Sequence, residues 1–134
     1  MPALNRVRHL SQSIACHWQL AYDYLCVPEH FCQWASGLAS GMQRIDGQWL
    51  ATTPQGQVRL TFSPPNSYGV LDHWVHITPQ VSIYVPLRLV ANGEGCELIL
   101  SLFRPPGMSD ERFAADVQWV QRDLLTARQL LEAL

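Results

Sequence analysis

The chain has 134 residues, a length that suits one domain. Nine basic and eleven acidic residues give a formal net charge of -2, and every basic residue is arginine; lysine Schiff-base and P-loop lysine chemistry are excluded, and a nucleic-acid binder's basic stripe is not expected. Charged residues are 15% and hydrophobic ones 48%, so the chain can bury a core, and its sparse charge leaves apolar surface for a cavity or a partner, a second copy of the chain included.

The first nine residues, Met1 to His9, carry two arginines and no apolar run after them, so no signal peptide is expected. No stretch approaches the roughly 18 apolar residues of a membrane span. The expectation is a soluble cytoplasmic protein without integral membrane association.

Arg8 to Ile14 alternates in part and reads as a first strand. Cys16 to Leu25 carries Trp18, Leu20, Ala21, Tyr24 and Leu25 at the spacing of one helical face. Val27-Pro28 interrupts it, and a second short helix is expected from Glu29 to Trp34, with Phe31, Trp34 and Ala35 apolar. The cysteines are Cys16, Cys26, Cys32 and Cys96. Free, mostly buried thiols are expected in a reducing compartment. Cys26, His30 and Cys32 lack the second ligand pair of a structural zinc site, so no metal is expected; a Cys–His nucleophile pair stays open, because such partners need only meet in space. The Gly37–Gly41 stretch is not a nucleophile elbow, since its serine is misplaced.

From Met42 onward the period shifts to two. Strands are expected at Gly41–Ile45, Gln48–Thr52, Gln57–Ser63, Gly69–Thr78, Val81–Ala91 and Cys96–Arg104. The separators are turn formers: Asp46-Gly47, Pro54-Gln55-Gly56, Pro64-Pro65-Asn66, Thr78-Pro79-Gln80 and Asn92-Gly93-Glu94-Gly95. Arg104-Pro105-Pro106-Gly107 then stops the sheet. Ser109 is a good N-cap, with Asp110 and Glu111 in the first turn. A helix from Asp110 to Leu134 follows, its apolar positions Phe113, Val117, Val120, Leu124, Ala127, Leu131 and Leu134 stepping by four and three. The whole chain, 1–134, reads as one α+β domain. A curved antiparallel seven-stranded sheet wraps round the long C-terminal helix, and the two short helices after strand 1 plug one end.

Several phrases join that element order: Pro28-Glu29-His30-Phe31-Cys32-Gln33-Trp34, Gly69-Val70-Leu71-Asp72-His73, the run from Val85 to Gly93, and the run from Phe103 to Glu111. Together they resemble the START-like, helix-grip superfamily (SRPBCC), and within it the polyketide cyclase/dehydrase and lipid-transport branch. The resemblance implies a cavity between the concave face of the sheet and the C-terminal helix. It brings no single catalytic motif, because this fold hosts lipid carriers, cyclases, hydroxylase domains and regulators. The chain is shorter than typical members, which implies a smaller cavity.

Alternation along the strands nominates the lining. Val58, Leu60 and Phe62 share a face, as do Leu71, His73, Val75 and Ile77, and Val85, Leu87 and Leu89. The more apolar sets are expected inward, with Phe113, Val117 and Val120 closing the cavity from the helix and Phe31 and Trp34 near its mouth. A one-residue register shift would exchange His73 and its set for Asp72, Trp74 and His76. His73 is then a buried neutral histidine with one hydrogen bond, a group that orients a ligand, or a general acid/base. Asp72 points to the opposite face and forms no dyad with it. Arg88 and Arg104 are expected to be solvated or ion-paired, Glu97 and Asp72 being the acids in reach. The leading function is binding of a small hydrophobic or aromatic, lipid- or polyketide-like molecule. A cyclase/dehydratase-type enzyme using His73 is the first alternative, and an interaction protein with a packed core is the second. No motif implies a cofactor.

Overall fold

The computed structural model describes residues 2–36, 41–54 and 56–134. Gly37 to Ser40 of the glycine-flanked stretch, and Gln55 of the expected turn, lie outside the described residues. β1 (Arg6–Ile14) leads into α1 (Trp18–Leu25) and a 3-10 helix (Pro28–Gln33). Next come β2 (Met42–Ile45), β3 (Gln48–Thr53), β4 (Gly56–Phe62), β5 (His73–Thr78), β6 (Val81–Val85), β7 (Leu87–Asn92) and β8 (Gly95–Arg104). α2 (Asp110–Glu132) closes the chain. No helix among the described residues is long and apolar enough to cross a membrane.

The expected single seven-stranded sheet is not what forms. Among the described residues there are two antiparallel sheets, one ordered β1-β8-β7 and the other β2-β3-β4-β5-β6. The physical reason is Pro86. It has no N–H to give a ladder, so the expected strand Val81–Ala91 breaks there into β6 and β7. The expected strand Gly69–Thr78 changes sheet as well. Residues before Asp72 lie along β7, with the Leu71 N–H donating to the Leu87 carbonyl at 2.8 Å and the Leu89 N–H to the Gly69 carbonyl at 2.9 Å. His73 onward pairs instead with β4 and β6. Gly69 has φ of 74°, and a Cβ there would stand 2.5 Å from the Leu89 carbonyl oxygen, so glycine is required for this approach.

Asp72 pins the corner where both crossings occur. Its Oδ1 accepts from the Leu87 N–H at 2.9 Å and from Arg88 Nε at 3.1 Å. Its Oδ2 accepts from the Tyr84 hydroxyl at 2.8 Å and from Arg88 Nη2 at 2.7 Å. The carboxylate thus supplies the acceptor that a neighbouring strand would otherwise have provided. Burial would raise its pKa, but the bonds from Arg88, the Leu87 N–H and Tyr84 hold it below the usual carboxylate value.

α1 begins two residues later than expected. His17 caps it, Nδ1 accepting from the Gln19 N–H at 3.2 Å. The helix buries Ala21, Tyr22 and Leu25, whereas Leu20, expected on that face, is 51% exposed. The second helix forms as a 3-10 helix with Pro28 in its first turn. α2 packs chiefly on β1 and then on β8, burying Val117, Leu124, Ala127 and Leu131 against a face that includes Leu10, Ile14, Leu98 and Leu100. Ser109 caps it, its Oγ accepting from the Arg112 N–H at 3.1 Å. At the other end, the Ala15 N–H donates to Glu132 Oε2 at 2.8 Å and ties α2 to the exit of β1. Trp119 Nε1 donates to Ser36 Oγ at 3.0 Å, and that hydroxyl donates to Asp123 at 2.7 Å, so α2 also holds the chain just beyond the 3-10 helix.

Candidate functional site

A cavity of about 640 Å³ lies between the α1 and 3-10 helices on one side and the β2–β5 region of the five-stranded sheet on the other. The helices contribute Tyr22, Leu25, Phe31 and Trp34; the sheet contributes Trp49, Leu60, Phe62 and His73; Leu71 and Leu87 reach in from the corner. This is not the expected place. α2 lines none of it, because that helix is packed tightly on the other sheet.

Of the residues nominated from sequence, Phe31, Trp34, Leu60, Phe62, Leu71, His73 and Leu87 come together around this cavity. Val75 and Val85 do not border it, and neither do Phe113, Val117 and Val120 of α2. Val75 and Val117 are both buried in the hydrophobic core. Phe113 instead carries the Arg104 guanidinium 5.7 Å above its ring.

His73 is 3% exposed, on the inner face with Leu60 and Val75, while Trp74 on the outer face is 43% exposed. Ile77, expected inward, is 45% exposed, and the β5–β6 register shifts here, between His76 and Thr78. Phe31 meets the imidazole edge-on at 5.1 Å, Phe62 lies tilted at 6.0 Å, and Phe31 also meets Trp34 at 5.3 Å. In this aromatic setting burial drives the His73 pKa down to about 4, only partly offset by the Leu71 carbonyl and the Asp72 charge. The ring is therefore neutral near pH 7. Its Nδ1 stands 3.3 Å from the Leu71 carbonyl, which can only accept, so Nδ1 carries the proton. Nε2 is left with a free lone pair, and no group among the described residues donates to it. Trp34 Nε1 is buried without an acceptor among the described residues. An unmet buried N–H of this kind costs about 1–3 kcal/mol.

Asp72 and His73 do not bond to each other; each is committed to a different face. Arg88 pairs with Asp72 at 2.7 Å and Arg104 with Asp110 at 2.7 Å. His30 packs on Tyr24 at 4.1 Å, with Nδ1 2.8 Å from the Tyr24 carbonyl, so that nitrogen is occupied. The four cysteines are free, and burial raises the pKa of each thiol, Cys96 up to about 11. None is an activated thiolate.

Sequence reasoning missed Tyr22, Leu25, Trp49 and the loop behind them. Trp18, Tyr22 and Leu25 follow the i, i+4, i+7 spacing, so that face was present in the sequence beside the one nominated. The Tyr22 hydroxyl accepts from the Asn66 N–H at 2.8 Å. The Asn66 side chain in turn accepts from the Tyr68 and Val70 N–H groups at 3.0 and 3.1 Å and donates to the Val70 carbonyl at 2.9 Å. This asparagine closes the loop that brings Pro64 and Pro65 to the rim.

No family model and no curated protein sequence matches the chain. Solved structures do. The protein XoxI from Bacillus cereus is 12% identical, with a TM-score of 0.73 over 93% of this chain and 94% of its own. Ara h 8.0201 is 10% identical, with a TM-score of 0.69 over 96% of this chain and 99% of its own. A START superfamily protein from Mycobacterium smegmatis is 12% identical, with a TM-score of 0.64 over 93% of this chain and 98% of its own. At these identities the likeness is one of fold, and that fold is the START-like, helix-grip one.

Proposed function

We propose that the chain binds a small hydrophobic or aromatic molecule in the cleft between the α1 and 3-10 helices and the five-stranded sheet. The observation that carries this reading is a cavity of about 640 Å³ walled by aromatic rings, with a neutral His73 on its floor. That volume lies within the roughly 300–1,000 Å³ of small-molecule sites. Removing the ligand's apolar surface from water supplies the driving force, at about 25 cal/mol per Å². His73 Nε2 acts as the hydrogen-bond acceptor that orients a ligand hydroxyl or N–H.

A pKa of about 4 favours orientation over proton transfer. At pH 7 roughly one imidazole in a thousand would be protonated, and the free base is weak. The test is titration with the neutral probe N-phenyl-1-naphthylamine, followed by its own emission and by tryptophan quenching, since Trp34 and Trp49 border the cleft. Saturable binding that weakens in His73→Ala is expected. A probe that never saturates would overturn the reading. Turnover of a polyketone substrate lost in His73→Ala, with affinity intact, would move the assignment to a cyclase/dehydratase.

A further inference from the structure

Among the described residues, the inner face of the cleft carries an uncompensated charge. Arg44, in β2, pairs across the ladder with Trp49 of β3, which pairs in turn with Leu60 of β4, so all three share that face. Both Arg44 and Trp49 border the cavity. The guanidinium sits 5.8 Å above the Trp49 ring and forms no ion pair or hydrogen bond with any described residue. Asp46, two positions on in the same hairpin, is not its partner. Arg59 also borders the cavity, but alternation along β4 sets its side chain with His76 on the opposite face. The carboxylate at the corner, Asp72, is spent on Arg88, Tyr84 and the Leu87 N–H. The lining therefore combines an apolar and aromatic body, a free acceptor at His73 Nε2, and, on its inner face, the unspent guanidinium of Arg44.

We propose that the cleft selects anionic amphipaths, the ring system lying against Trp49, Leu60 and Phe62 and an acidic headgroup meeting Arg44. This rests on the binding assignment above and adds the ligand's charge. A guanidinium already held over an aromatic ring loses little freedom when it accepts a carboxylate or sulfonate, and its planar fork matches that headgroup. The gain is modest because Arg44 is exposed to solvent, and it weakens as salt screens the pair.

Two probes with the same ring system separate the ideas: neutral N-phenyl-1-naphthylamine and the sulfonate 1-anilinonaphthalene-8-sulfonate. The native chain should hold the sulfonate about two- to fivefold more tightly at low salt, with the preference falling in 0.5 M NaCl. Arg44→Gln should erase it, acting on the sulfonate more than on the neutral probe, Arg44→Lys should keep part of it, and Arg122→Gln, on α2 and away from the lining, should change neither. Neutral-probe binding with a sulfonate affinity indifferent to Arg44→Gln would overturn this inference and leave the cleft assignment standing, as would an equal loss in Arg122→Gln. Failure of both probes to bind would overturn the cleft assignment and this inference with it.

Discussion

His73 is neutral because an imidazolium buried against Phe31 and Phe62 would lose its hydration, and Asp72, its neighbour in sequence, faces the other way and offsets only part of that loss. The consequence is a pH dependence of stability. The unfolded chain takes up a proton near pH 6.5, whereas the folded chain resists until about 4. Above pH 6.5 both states are neutral and the full stability is present. As pH falls from 6.5 to 4 the unfolded state binds the extra proton, and about 3 kcal/mol should be lost. Urea unfolding at pH 7 and pH 4 checks this, and His73→Leu should remove most of the drop between the two; an equal drop in the variant would place the titration elsewhere. Asp72 acts in a separate window: its lowered pKa keeps its contribution in place down to the ordinary carboxylate range, and it is lost only at lower pH.

Among the elements, α2 was the most legible because every local signal agreed. The cap, the acidic first turn and the four-three apolar steps all indicate a helix from Asp110, and Ser109 does cap it. Ser109→Ala should cost about 1 kcal/mol, and Leu124→Ala, which empties a fully buried site, about 3 kcal/mol; urea midpoints would rank them, and equal losses would contradict the packing described. The strand carrying Pro86 was misread for the opposite reason. Val81–Ala91 alternates well on both sides of the proline, so the period suggested one strand, while the missing N–H required two. What the sequence did not display is that Asp72, fourteen residues earlier, would supply the acceptor for Leu87 at the break.

For the molecule as a whole, the two sheets share one corner, and the covering elements divide between them. α2 covers the three-stranded sheet, and its buried residues pack chiefly on β1. The shorter helices stand against the five-stranded sheet and leave the cleft. Leu71→Trp, which fills the cleft, should therefore weaken N-phenyl-1-naphthylamine at least tenfold, the circular dichroism unchanged. Phe113→Ala should leave affinity within about twofold. The reverse pattern would put the ligand under α2. The α+β class, the long C-terminal helix, the inward placement of Leu60 and His73 and the exposure of Trp74 followed from period, caps and turn residues, which are local properties of the chain; the helix-grip likeness came from the resemblance of its phrases and element order to that superfamily. The division into two sheets and the position of the cavity did not. They depend on which apolar face meets which, a choice between surfaces of similar composition that is settled only when Asp72, Pro86 and Gly69 meet in three dimensions.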